Sequence, residues 1–245
     1  MHRYLFFPLL IAAVLATGCP SKTLLAPKQQ ASIQQHFTGR VLYLKYSCYA
    51  TPFWAYDDRL YLTEHELDER VLITSPAGDP ILPGKPVRIL PMATKVRITK
   101  IEFPTSLAMS HRKLNSPRHF TWVFVQVVPP DGADLDQAPS SKPYVLVLTQ
   151  QIKSLSMFEK TLGLYLVDAD PSKEFSHRPV EIIEAIREKK VVEGMRYDAV
   201  LRSRGQPEKV MREIKDGARW ERWIYAPGRE VVLKNDRVVR WSGLE

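Results

Sequence analysis

Between residues 40 and 166 the apolar positions fall in short runs separated by turn residues. VLYLKYSCY, RLYL, RVLIT, VRIL, KVRITKIEF, FTWVFVQVV and YVLVLTQ are rich in β-branched and aromatic side chains, and SPAGDP, LPGKP and VPPDGAD punctuate them. Runs of this kind read as strands. Their succession predicts a mostly-β domain over residues 39–168, an antiparallel barrel or sandwich. In KVRITKIEF strict alternation places Val96 and Ile98 on one face and Arg97, Thr99 and Ile101 on the other. The polar stretch 129–143, PPDGADLDQAPSSKP, reads as a long hairpin loop or a seam inside this domain.

After Pro171 the period changes. PVEIIEAIREKK places Val180, Ile183 and Ile186 on one helical face, with Glu184, Glu188 and Lys189 outside and Pro179 suited to the first helical position. A second short helix is predicted from Tyr197 to Arg204, with Gly205 at its left-handed end and Pro207 just beyond. EKVMREI, ARWERWIYA, EVVLK and RVVRW then read as strands. Asp216-Gly217 and Asn235-Asp236 are their hairpin turns. The expected fold class is thus α+β. A two-helix, three-stranded antiparallel domain over residues 172–245 follows the β domain, with a fourth strand if EKVMREI pairs along its length.

On ARWERWIYA, Trp220, Arg222 and Ile224 share one face while Trp223 and Tyr225 share the other. One face must meet the helices, and the other is either exposed or covered by the preceding domain. Trp223 and Tyr225 are read as core. An exposed tryptophan beside arginine is hot-spot composition, so Trp220, Arg222 and the neighbouring Arg219 are the candidate partner-binding residues.

The amino terminus follows a different pattern. After Arg3 an apolar stretch from Tyr4 to Ala16 leads into Ala16-Thr17-Gly18-Cys19. It is shorter than the roughly 20 residues needed to cross a bilayer core, so residues 1–18 read as a secretory signal. The end of this segment resembles the lipobox of bacterial lipoproteins. That resemblance implies cleavage before Cys19 and lipidation of its thiol, and Pro20 in place of an aspartate implies the periplasmic face of the outer membrane. An ordinary signal with a cysteine nearby is the alternative. Residues 19–38, rich in Gln and without a sustained apolar period, are expected to be a flexible tether.

Composition narrows the setting. The chain has 245 residues, 44% of them hydrophobic, a charge of +8 and two cysteines. The positive charge is spread along the chain without a polybasic block, which favours weak attraction to anionic lipid surfaces over nucleic-acid binding. With Cys19 lipidated, Cys48 has no internal disulfide partner. Among Tyr46 and Tyr49 it reads as a small buried apolar residue.

Two resemblances carry the reading further. Gly194-Met195 with Val200, Gly205-Gln206-Pro207, Trp223-Ile224-Tyr225 and Asn235-Asp236-Arg237-Val238 ending at Trp241 resemble the SmpA/OmlA domain, as in the BamE-like lipoproteins of outer-membrane barrel assembly. The resemblance implies two helices on a three-stranded sheet and a role in docking or assembly. Arg196, Arg204 and Asp236 depart from that pattern. The stretch GDPILPGKPVRILPMATKVRITKIEF resembles a bacterial SH3-like barrel, which implies that peptidoglycan could be a ligand.

Catalytic signatures are lacking. His65-Glu66-Leu67-Asp68-Glu69 has no second histidine for a zinc helix, and HRKLNSPRH reads as an exposed basic patch rather than a metal site. No nucleophile elbow, phosphate loop or dinucleotide fingerprint occurs. The sequence therefore points to a non-enzymatic, lipid-anchored envelope docking protein with no cofactor or metal. Its alternatives are a peptidoglycan-binding lipoprotein, with Trp54 in an aromatic cluster, and a Cys48-dependent hydrolase.

Overall fold

Each amphipathic run finds a partner in one of two sheets, and a separate cluster of buried side chains forms against each. The chain is described here from a computed structural model covering residues 23–52, 59–65, 85–113, 116–129 and 143–244. The protein is of mixed α+β class. Among the described residues the first sheet has eight strands: β1 (Val41–Leu44), β2 (Cys48–Pro52), β3 (Leu60–Thr63), β4 (Arg88–Leu90), β5 (Lys95–Glu102), β6 (Thr121–Val127), β7 (Tyr144–Leu148) and β8 (Leu166–Val167). They curl in the order β4-β2-β3-β7-β6-β5-β1-β8. Pairing is antiparallel except between β3 and β7, which run parallel, a departure from the all-antiparallel expectation. β6 and β7 are antiparallel neighbours, as the hairpin reading of the polar stretch between them requires. The predicted RVLIT strand and most of that polar stretch lie outside the described residues.

Strand β5 corrects the alternation read from its letters. Its register shifts between Ile98 and Lys100, which restores Ile101 to the side of Val96 and Ile98. All three are at most 1% exposed. A bulge inserts one residue and so reverses the parity of everything after it. That is why Ile101 belongs to the core rather than to the Arg97 face.

The expected tether ends sooner than residue 38. Helix α1 (Pro27–Phe37) begins with proline at its first position, and the Gln29 side chain accepts a hydrogen bond from the Ala26 backbone N–H. Ile33 and Phe37, one turn apart, are buried together with Leu25 in the first core. Phe37 meets Phe158 edge-on at 5.0 Å between centroids, and Gln34 Nε2 donates to the Ile101 carbonyl. The helix needs only this one narrow stripe because its other sides face solvent, and so its glutamine-rich sequence shows no broad apolar period. Two further helices, α2 (Ser106–His111) and α3 (Leu155–Leu162), interrupt the region expected to be mostly β. Ser154 caps α3, and Phe158 and Leu162 fill the core beneath it.

One cation of the loop expected to present a basic patch is turned inward, while His111, Lys113 and His119 stay exposed. Arg112 is 4% exposed. Its Nε donates to Glu102 Oε1 at 2.7 Å, Nη1 to the Arg118 and Phe120 carbonyls, and Nη2 to the Glu102 carbonyl. Its guanidinium lies 3.9 Å from the centroid of the fully buried Trp122 ring. Trp122 Nε1 in turn donates to the Pro117 carbonyl. Arg112 is thus an internal strut and is not presented to phosphates.

A 3-10 turn (Pro171–Phe175) leads to α4 (Val180–Arg187) and α5 (Tyr197–Arg204), followed by β9 (Lys209–Lys215), β10 (Ala218–Ala226), β11 (Arg229–Lys234) and β12 (Arg237–Ser242). The second sheet has four antiparallel strands in the order β12-β11-β10-β9, so EKVMREI pairs along its length and the sheet exceeds the expected three strands. Both hairpin turns have positive φ at their two central residues: 51° and 70° at Asp216 and Gly217, 46° and 69° at Asn235 and Asp236. This is the turn geometry whose twist matches paired strands. Ile186, Ala199 and Val200 from the helices, with Met195 from the segment between them, pack on Trp223, Tyr225, Val231, Leu233 and Val238 of the sheet.

Candidate functional site

The Asp216-Gly217 turn sets Lys215 opposite Ala218, and that register carries Met211 to a place opposite Arg222 and Glu213 opposite Trp220. On the other side of β10, Val232 faces Arg222 and Lys234 faces Trp220. The helices cover the Trp223–Tyr225 face, so these six residues stand on the opposite, open face. There Trp220, Arg222 and Met211 join Lys215, Val232, Val239 and Arg240 around a shallow groove of about 610 Å³. Every residue lining it belongs to the four-stranded sheet, so among the described residues the eight-stranded sheet does not cover this face.

The groove is apolar in its floor, and in its rim Arg212, Lys215, Arg222 and Arg240 outnumber Glu213 and Glu221. Met211 is 46% and Val239 40% exposed. The Arg222 side chain, half exposed, pairs with Glu230 at 3.0 Å, and Lys234 Nζ lies 5.2 Å from the Trp220 ring centroid. Rim pairs of this kind contribute little to stability. They do hold the cations in place beside the aromatic ring.

Arg219 does not belong to this group. It lies on the helix-facing side with Glu221 and Trp223, where its guanidinium pairs with Asp236 and its backbone N–H donates to Asn235 Oδ1. It is a brace of the second hairpin turn. Trp223 is 5% exposed and donates from Nε1 to Glu221, and Tyr225 donates to the Gly205 carbonyl at 3.2 Å, so both are core as expected. Sequence reasoning missed Met211, Val232, Val239 and Arg240. Met211 was legible in principle, since counting back from the Asp-Gly turn places it beside Arg222. Val239 and Arg240 were not, because the register of β11 against β12 shifts after Val232.

A second polar cluster joins the two sheets, and it contains the largest error of the helical-face reading. Lys189, expected outside, is 1% exposed. Helix α4 ends at Arg187, and Lys189 adopts φ 58°, which turns its side chain inward. Its Nζ donates to the carbonyls of Ser47 (2.7 Å) and Ser203 (2.6 Å) and lies 4.8 Å from the centroid of the Tyr49 ring. Ser47 Oγ donates to the Ile186 carbonyl and accepts from Met92 N–H. Arg204 donates to Tyr49 Oη and to the Lys189 carbonyl. Arg204 is therefore a buried arginine whose guanidinium has hydrogen-bond partners in the seam.

Glu64 and Cys48 belong to the same seam. Burial raises the Glu64 carboxyl above its ordinary range, with Lys189 opposing the shift. The carboxylate lies against Gly205, whose φ is +79°; a Cβ there would approach Glu64 Oε2 to 2.7 Å. A raised folded-state value means that the protonated form is favoured in the fold. That contribution is complete below the ordinary carboxylate range near ~4.3 and is lost as pH rises through the elevated value. Glu64→Gln is therefore expected to melt higher than the parent protein at pH 8, with the difference vanishing near pH 4. A constant difference across that range would assign the effect to packing.

Burial pushes the Cys48 thiol up to about 12, so it is protonated at neutral pH, and it donates to the Tyr46 carbonyl. A thiol kept protonated by burial is a weak nucleophile. Among the described residues no three His, Cys, Asp or Glu side chains gather into a metal-binding set, and no helix is long and apolar enough to cross a membrane. Cys19, Trp54 and the Glu66-to-Glu69 stretch lie outside the described residues. Comparisons with family models, with curated proteins and with solved structures found no match to this chain.

Proposed function

We propose that the protein is a non-enzymatic, lipid-anchored docking module of the bacterial envelope. It is held at the periplasmic face of the outer membrane through Cys19 and presents the open face of its four-stranded sheet to an envelope protein. One observation carries the docking half of this reading: Trp220, Arg222 and Met211 form a groove that neither the helices nor the first sheet covers. The anchored half rests on the lipobox-like segment. The finer fold reading, a SmpA/OmlA-like domain with one strand added at the β9 edge, is supported by α4, α5 and the Gly-x-Pro and Trp-x-Tyr positions. It is compatible with a part in barrel assembly or envelope integrity. The SH3-like reading of the first domain and its wall-binding corollary have less support. Tyr46 and Tyr49 of the aromatic cluster are buried in the seam rather than offered to a glycan.

The test is site-specific photo-crosslinking from Val239 in the full-length protein, expressed in its own membranes beside a Cys19→Ala control. Arg222→Glu, at a hot spot worth about 2 kcal/mol, is expected to weaken partner capture by about 30-fold while leaving the melting temperature within a degree or two. Cys19→Ala is expected to move the protein out of the membrane fraction. If Arg222→Glu left capture intact, or if only wall fragments were recovered, the docking reading would be wrong. Unchanged fractionation of Cys19→Ala would remove the anchor.

A further inference from the structure

A sheet edge is a row of unpaired backbone donors and acceptors, and folded proteins shorten, bulge, cover or charge such edges. The two sheets here have four edges among the described residues, and three are blunted. β4 has 3 residues and β8 has 2. The β12 edge is occupied by the chain entering α5: Gly194 N–H donates to the Val238 carbonyl, Val238 N–H to the Met195 carbonyl and Tyr197 N–H to the Asp236 carbonyl. The fourth edge, β9, is neither shortened nor covered among the described residues and is guarded by charge alone. It is 7 residues long, pairs only with β10 among the described residues, and is exposed at every position except Val210.

The surroundings of β9 suit a further strand. A strand sends alternate side chains to opposite faces, so an added one needs room on both. On the open face lies the Trp220–Met211–Arg222 groove. On the helix side a second groove of about 610 Å³ runs between β9 and α5, lined by Tyr197, Leu201, Pro207, Val210 and Arg212. The two grooves meet at Arg212 and Glu221, so the edge strand stands between them. Ile214 projects beside them at 84% exposure.

Charge decides the occupant. KVMREIK carries three cations against one carboxylate. A second copy pairing antiparallel about Arg212 would set Arg212 opposite itself and Lys209 opposite Lys215 twice, and like charges directly opposite are destabilising. The same cations attract an acidic chain. Resting on the docking reading above, we infer that β9 accepts an extended acidic segment of the partner as a fifth strand. Its carboxylates lie opposite Lys209, Arg212 and Lys215, and its apolar side chains opposite Val210, Met211 and Ile214. Backbone pairing supplies the register and the two grooves read alternate side chains.

The probe is a synthetic peptide with Glu, Val, Thr, Glu, Val, Val and Glu in that order, titrated into the detergent-solubilised full-length protein. Binding is followed by fluorescence anisotropy, and the bound site is located by amide hydrogen exchange. Saturable binding is expected, with slowed exchange at 209–215 and none at 237–242. A proline at the central Glu of the peptide, or Lys209→Glu with Lys215→Glu in the protein, is expected to weaken binding by at least about tenfold, since each removes pairing or charge. Absence of binding at millimolar peptide would overturn the inference. So would a proline-insensitive complex, or protection confined to β10 and β11, although Trp220-face docking would then still stand. Protection of β9 by concentration-dependent self-association would assign the edge to a second copy and would equally overturn it. If Arg222→Glu leaves partner capture intact while the peptide still protects β9, the docking reading fails and the strand site remains.

Discussion

Lys189→Met is expected to lower the stability of the chain by about 3 kcal/mol. Methionine keeps most of the stem volume, so the change isolates the ammonium. That ammonium is the donor to two buried carbonyls, Ser47 in the β1–β2 connection and Ser203 on α5. Each buried acceptor left without a partner costs ~1–3 kcal/mol, partly offset by relief of the buried charge. For a chain of this size the loss corresponds to roughly 6–12 °C in melting temperature. Because Lys189 ties the β1–β2 connection to the helices that cover the second sheet, the calorimetric transition is also expected to broaden or split. A melting temperature equal to or above that of the parent protein would show that burying the charge costs as much as its bonds return. In that case apolar contacts such as Met92 against the second core would carry the joint.

Arg112→Ala is the second large effect, expected at about 4 kcal/mol by denaturant titration. Its removal leaves the Glu102 carboxylate, the Arg118 and Phe120 carbonyls and one face of Trp122 without their common partner. Breaking such a pair from one side costs ~3–5 kcal/mol. Arg112→Lys should recover little of this, because a single ammonium cannot span a carboxylate and three carbonyls as the planar guanidinium does. Full rescue by lysine would mean that only the charge beside Glu102 matters. Burial also lowers the Arg112 pKa, but guanidinium stays charged across any accessible pH, so no pH dependence is expected from it.

Both residues teach the same lesson about legibility. A helical wheel drawn through Lys189 put it in solvent, and the error is geometric: the wheel applies only while the helix continues, and α4 ends two residues earlier. Arg112 sat in a run of basic letters whose plain reading is a solvated patch. Its burial depends on Glu102 and on carbonyls that the fold brings around it. The bulge in β5 is a third case, since one inserted residue reversed the face of Ile101 with no local letter to announce it.

Where local interactions suffice, the sequence was an adequate guide. The bounds of α5, the Asp216-Gly217 and Asn235-Asp236 turns, and the division of β10 into a Trp223–Tyr225 core face and a Trp220–Arg222 face follow from periodicity and turn chemistry, which depend on neighbours a few residues apart. Which face of that sheet stays open, which of its edges is left unpaired, why Arg219 turns away from the candidate site, and how two cores meet through a buried lysine were decided by tertiary structure alone. Each depends on chain segments tens to hundreds of residues away, as the 142-residue separation between Lys189 and Ser47 shows. Local periodicity carries no information about such partners.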